Sequence, residues 1–379
     1  MYKEKAAFIK YGSFSHINES VLSELIRKFP DYEFDVYDLQ PDKYSTDTAF
    51  ALLHSLTEYG KDIITGKKTF LGTYNRTPWF FNRTRKFILK TLSDKDYRFT
   101  FQTQAIFDAS IPGIPHFLYT DHTHMANLDY PGWDRNHLLN ESWFKRENQI
   151  YANTALIFTM SSNITNSLIR DYDCNPEKVR LVYSGANIRT DPYERFADSR
   201  FAAKNILFVG VNWLRKGGPD LVESFKLVLK VHPDATLTIV GCSPKVEVPN
   251  CFVAGNVGLE EVKEFYNQAS VFCLPTLFEP FGIAFLEAMA HKLPIVATRL
   301  GAIPDFVHHG KNGYLVNPKD PAGLSEALIQ LLGDPARCKS FGEYGNRLYR
   351  DHYTWEKTGS LMHENIMECL ERKLIEVHH

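Results

Sequence analysis

Two doubly wound α/β domains are predicted by three features of the sequence. Its 379 residues exceed what one ordinary core holds and suit two domains of similar size. Short apolar runs alternate with amphipathic helical patterns from end to end, the order that builds parallel sheets from βαβ units. One stretch, 271–318, shows such a unit complete: the apolar run Val271–Leu274, a loop, a run of helix formers from Ile283 to His291, and a second apolar run from Pro294.

The remaining elements follow in order. Ala6–Tyr11 reads as a strand that enters Gly12-Ser13, and the next helix places Val21, Leu22, Leu25 and Ile26 on one side before Pro30. Glu33–Leu39 is a second strand. Gly113–Thr120 is another, emerging into Asp121-His122-Thr123-His124, and open α/β sheets put their chemistry at such strand ends. The two histidines also invite a metal reading, but no second carboxylate or cysteine cluster lies nearby. Ala155–Met160 leads to a capping Ser161, and Val179–Tyr183 closes the first domain. A charged stretch, 188–204, links to the strand Asn205–Gly210 and the turn Val211-Asn212-Trp213-Leu214-Arg215-Lys216-Gly217-Gly218. The helix after it begins near Pro219. Arg offers a planar fork and Lys a mobile point charge, so this pair suits two phosphates, unless it is only solvated. Ala235–Gly241 and Asn250–Gly255 are strands, and Asn256 opens the turn after the second. Helices are expected over 259–269, 321–332, 335–351 and 356–374.

Composition narrows the function classes. A net charge of −2 supplies no global reason to expect nucleic-acid binding. The six cysteines lack a C-x-x-C and several fall in apolar runs, so they are expected reduced and buried in an intracellular protein. No charged-then-apolar leader and no long apolar run are present, so neither a signal peptide nor a transmembrane helix is expected. The stretch 67–91 carries seven basic residues and no acid, interleaved with Phe70, Tyr74, Trp79, Phe80, Phe81 and Phe87. It reads either as a surface for an anionic membrane or an acidic or lipid-linked acceptor, or as core aromatics beside a solvated face. His378-His379 is native or the stub of a tag.

Glu279 and Glu287 flank the start of the helix in the 271–318 unit. Two carboxylates at this separation suit the hydroxyls of a polyhydroxylated ligand, and Gly282 lets a ligand approach the first-turn amides. Taken alone, the pair could equally be a solvated helix position and a loop charge. The surroundings resemble the retaining glycosyltransferases of family 4: Glu279, Phe281, Gly282, Glu287-Ala288-Met289-Ala290, then Pro294-Ile295-Val296-Ala297, Gly301, and Gly313-Tyr314-Leu315-Val316-Asn317-Pro318. The chain departs from that pattern at Asp305, where Glu is usual, and at Val211, where an arginine usually stands.

The resemblance implies the GT-B architecture, two Rossmann-like domains facing a cleft: 1–187 on the acceptor side, with helix 355–379 packing back on it, and 188–354 for the nucleotide-sugar. It implies a metal-independent hexosyltransferase, without cofactor, that moves a sugar from a UDP- or GDP-sugar to a hydroxyl of a glycan, lipid-linked or small-molecule acceptor with retention. Rival readings are a glycogen-synthase or sucrose-type enzyme, a sugar-nucleotide epimerase and a non-catalytic sugar-nucleotide-binding subunit. By the same resemblance Arg215 and Lys216 stabilise the leaving diphosphate and Glu279 positions the donor sugar. Glu287 holds the ribose, and Phe281, Gly282, Ile283 and Ala284 present amides to sugar and phosphate. Gly12 and Ser13 bring amides to the diphosphate, Asn256 meets the base, and Asp121 or His122 faces the anomeric centre. The protein is expected in the cytoplasm, with peripheral membrane contact through 67–91 as one reading.

Overall fold

The structure, a computed structural model, describes residues 3–40, 46–188 and 196–377, so His378 and His379 lie outside the described residues. Among the described residues twelve strands form two sheets of six, and every pairing between these strands is parallel. The first sheet contains β1 (Glu4–Lys10), β2 (Tyr32–Asp38), β3 (Phe99–Thr103), β4 (His116–Thr120), β5 (Leu156–Thr159) and β6 (Val179–Leu181), in the order β2-β1-β3-β4-β5-β6. The second contains β7 (Asn205–Val209), β8 (Thr236–Val240), β9 (Cys251–Gly255), β10 (Val271–Leu274), β11 (Ile295–Thr298) and β12 (Gly313–Val316), in the order β12-β11-β10-β7-β8-β9. Most of the central strands are buried along their length, which is why they read as continuous apolar runs rather than as alternations.

Chain order reverses between β1 and β3 in one sheet and between β7 and β10 in the other. Such switch points, at the carboxyl ends of the strands, are where open α/β sheets bind ligands. Two compact units surround the sheets: described residues of 1–128, 132–182 and 359–379 form one, and 129–131 with 183–358 form the other. The last helix, Trp355–Val377, contributes residues to both units. Trp355 Nε1 donates to the Ala186 carbonyl at 3.0 Å, whereas His363 packs on Phe29 and Asn365 accepts from Arg180 at 2.8 Å.

Local pattern leaves β3 and the helix Thr46–Ile64 unassigned. β3 is the sequence Phe-Thr-Phe-Gln-Thr, whose alternation suits a half-exposed strand, yet all five residues are buried. Its polar side chains are satisfied from elsewhere: Gln102 Nε2 donates to the Phe107 carbonyl at 2.6 Å, and Thr103 donates to Asn18 at 2.7 Å. The stretch 67–91 divides. Phe80 and Phe81 are core, on the inner face of the helix Pro78–Leu92, which Thr77 caps by accepting from the Phe80 amide at 3.2 Å. Phe70 and Phe87 stay exposed. Of the six cysteines Cys242, Cys273 and Cys338 are buried and the other three half-buried, so the expectation of burial holds for half of them. Among the described residues no helix is long and apolar enough to cross a membrane.

Candidate functional site

The two loops at the β7/β10 switch point are bonded to each other. After β7, Asn212 organises a tight turn: its side-chain oxygen accepts from the Arg215 amide and its carbonyl from the Lys216 amide, both at 3.0 Å. The Arg215 carbonyl then accepts from the Leu277 amide at 2.9 Å and the Thr276 hydroxyl at 3.2 Å, both in the loop after β10. Gly217 permits the approach. Its φ is +73°, and a Cβ there would lie 1.9 Å from the Pro275 carbonyl oxygen.

This zipper carries the two cations to one carboxylate. Lys216 Nζ bonds Glu279 Oε2, and both residues are buried, at 8% and 5% exposure. Arg215 donates to the Phe278 carbonyl at 2.7 Å and stands 4.0 Å from Glu279 Oε1. A buried pair of this kind tolerates no unilateral loss, since either charge left alone sits desolvated. Val211 is 80% exposed and makes no part of the arrangement. Sequence reading did not single out Tyr130, whose hydroxyl donates to the Glu279 carbonyl at 2.8 Å while its ring packs 4.3 Å from that of Phe278. A lone tyrosine in a loop carries no local signal for such a contact, because its partner lies 149 residues away.

Beyond Glu279 the chain enters the helix Ile283–Ala290 through Gly282, while Phe281 packs on Phe306. The amides of Ile283 and Ala284, in the first turn, meet no protein acceptor among the described residues, and so are available to a ligand. Glu287 is not a solvated helix position. It is buried, accepts from the Tyr266 hydroxyl at 3.0 Å and is also bonded by the amides of Asn187 and Ile188. A carboxylate has about four acceptor sites, so one is left for an incoming hydroxyl. Asn256 stands exposed at the end of the edge strand β9, two strands from β7.

Burial raises the Glu287 pKa from its ordinary 4.5 to about 7, against the opposing pull of the Tyr266 hydroxyl and the two amides. A folded-state pKa above the unfolded one makes this group favour folding below pH 4.5, and the contribution is lost as pH rises through 7. At pH 8 the cost is on the order of 3 kcal/mol. The advantage of Glu287→Gln over the wild type in urea midpoint is therefore expected to grow from pH 5 to pH 8. A difference that stays flat across that range would refute the shift.

In the first unit, Gly12 differs from the expectation: its amide is already given to Asp38 Oδ1 at 3.0 Å, which competes with any phosphate for it. Ser13 is exposed beside it. At the end of β4, Asp121 and His122 are both half-buried. The His122 Nε2 lies 3.2 Å from Asn127 Oδ1, and burial, reinforced by Arg76, pushes its pKa down to about 4. His124, which sequence reading mentioned only as a metal alternative, accepts from the Leu139 amide at 2.6 Å and is pushed down to about 3 by burial, His122 and Arg76. Both imidazoles are neutral at pH 7. Behind them Glu147 is buried, accepts from the His124 amide at 2.9 Å and the Tyr151 hydroxyl at 3.0 Å, and is raised to about 7 by burial. Among the described residues no group of three or more His, Cys, Asp or Glu side chains is placed to hold a metal ion.

Comparison with solved structures defines the fold. The chain superposes over 99% of its length on all of sucrose-phosphate synthase from Thermosynechococcus elongatus, with a TM-score of 0.68 at 16% identity. On the Anabaena protein HepE, solved in complex with UDP-glucose, the TM-score is 0.63 at 14% identity, covering 96% of this chain and 99% of that one. The fold is that of the GT-B glycosyltransferases. In sequence, residues 203–334, which contain the two bonded loops, match the family model described as glycosyl transferases group 1. The chain is 28% identical over 275 residues to the D-inositol 3-phosphate glycosyltransferase of Corynebacterium urealyticum, covering 65% of each protein. It is 25% identical over 228 residues to the glycogen synthase of Mycobacterium tuberculosis, covering 57% of this chain and 53% of that one. The match thus spans less than two thirds of either relative.

Proposed function

We propose that the protein is a retaining glycosyltransferase that moves a hexosyl group from a nucleotide-sugar to a hydroxyl acceptor. The observation that carries this reading is the meeting of Arg215, Lys216 and Glu279 at the β7/β10 switch point, beside the unpaired first-turn amides of Ile283 and Ala284. In the reaction the acceptor hydroxyl oxygen bonds to the anomeric carbon, the bond from that carbon to the diphosphate breaks with its electron pair leaving on the diphosphate, and the hydroxyl proton passes to the departing diphosphate oxygen. Catalysis is strongest where charge grows, and Arg215 and Lys216 are the cations that meet it. The diphosphate takes the place of part of the Glu279 contact with Lys216, which frees Glu279 to accept from the sugar hydroxyls. Glu287 uses its last acceptor site for a ribose hydroxyl. UDP or GDP is the nucleotide we propose, since the solved neighbours in complex include UDP and UDP-glucose.

The reading is tested by a thermal-shift panel of UDP-, GDP-, ADP- and TDP-sugars, followed by turnover with the stabilising donor. Release of nucleoside diphosphate is expected to depend on acceptor, to survive EDTA, and to give a product with the donor's anomeric configuration by NMR. Loss of activity in EDTA with recovery in Mg²⁺ would end the two-cation account, and an inverted product would end the assignment of retention.

A further inference from the structure

We propose that the helices Thr46–Ile64 and Pro78–Leu92, with the short helix Phe70–Thr73 between them, form a docking face for an anionic lipid bilayer surface. Seven of the fifteen large apolar side chains exposed among the described residues fall between 50 and 87. Ile64 is 84% exposed and Leu71 83%. In the helix Thr46–Ile64 the residues Phe50, Leu53, Thr57, Lys61 and Ile64 recur at three- and four-residue spacing, so they share one stripe. That stripe is the exposed one, while Ala51, Ser55 and Tyr59 face inward. The helix Pro78–Leu92 lies alongside: Phe50 and His54 pack their rings on Trp79 at 6.1 and 5.3 Å, and Asp47 pairs with Arg83 at 2.9 Å. Its residues Lys86, Phe87 and Lys90 are exposed as well.

Charge selects the occupant. Residues 46–92 hold eight Lys and Arg against three carboxylates in a chain whose net charge is −2. All three carboxylates are engaged: Asp47 with Arg83, Asp62 with Lys68, and Glu58 with the Asn140 side chain at 2.5 Å. Lys61, Lys67, Lys86 and Lys90 are exposed and make no ion pair among the described residues. A second copy of the chain would bring four like charges to meet four like charges. An anionic headgroup layer offers the opposite charge, with hydrocarbon beneath it for Ile64 and Leu71. Apolar side chains ringed by lysines on a helix face lie in the plane of such an interface, their stems reaching along the apolar zone.

The experiment is co-sedimentation of the full chain with phosphatidylcholine vesicles, with and without phosphatidylglycerol, at low and high salt. Binding is expected only with phosphatidylglycerol and is expected to weaken at high salt. The pair Ile64→Glu with Leu71→Glu, and separately Lys86→Glu with Lys90→Glu, should each lower it at least about tenfold. All four positions are exposed, so unchanged far-UV circular dichroism should certify the fold. Equal binding to both vesicle types, no binding to either, or binding indifferent to both pairs would overturn the proposal. So would a concentration-dependent dimer in sedimentation velocity that Leu71→Glu abolishes, because the face would then belong to a second copy. No readout depends on glycosyl transfer.

Discussion

Replacing Lys216 by alanine is expected to lower turnover by about a hundred- to a thousandfold, the effect typical of losing one group that meets growing charge in a water-poor site. Stability should fall as well. Glu279 is 5% exposed, and without Lys216 its nearest cation is Arg215 at 4.0 Å, so a buried carboxylate loses its close partner. Breaking a buried pair on one side costs about 3–5 kcal/mol. The two losses separate in the double variant Lys216→Met, Glu279→Gln. With no charge left to strand, stability should return toward the wild type, while turnover stays low for want of the cation. Urea titration and release of nucleoside diphosphate read the two quantities. A double variant that regains turnover would show that Lys216 serves only to neutralise Glu279.

Gly217→Ala is expected to destabilise the second unit by about 3 kcal/mol or more and to weaken donor binding with it. Two costs act at this residue. A left-handed φ of +73° costs a non-glycine residue about 1–2 kcal/mol. The added Cβ also meets a carbonyl oxygen at 1.9 Å, and that oxygen belongs to the backbone of Pro275, so no rotamer relieves it. Gly310→Ala is the matched control: its φ is +76° and nothing lies within 4 Å of its Cβ position. The difference in melting temperature between the two variants isolates the contact that presses the cationic turn onto the end of β10. Equal losses in both would mean that the turn and the loop are not held against each other.

Much of the fold was legible because its signal is local. Strands buried on both faces read as apolar runs, and the helices between them repeat at their own period, so β1, β4, β5 and β7–β11 fall close to where pattern puts them. β3 escaped because Gln102 and Thr103 find their partners in other segments. The site divides in the same way. Lys216, Glu279 and Glu287 stand out by residue type in a recognisable stretch, but their surroundings do not. Taken alone Glu287 could equally be a solvated helix position, and it is buried under Tyr266 and the chain at 187–188. Gly12 reads as a free turn amide and is bonded to Asp38.

By itself, then, the sequence determined the alternation of elements, the parallel sheets and the residue types offered at the turns after β7 and β10. Only the tertiary structure decided that those turns meet: Lys216 and Glu279 are 63 residues apart, and strand order brings β10 beside β7. It also decided which aromatic and aliphatic side chains between 50 and 87 are core and which are left outside. The reason is physical. Periodicity records which face a residue turns within its own element, whereas pairing, burial and exposure depend on what another part of the chain places against that face.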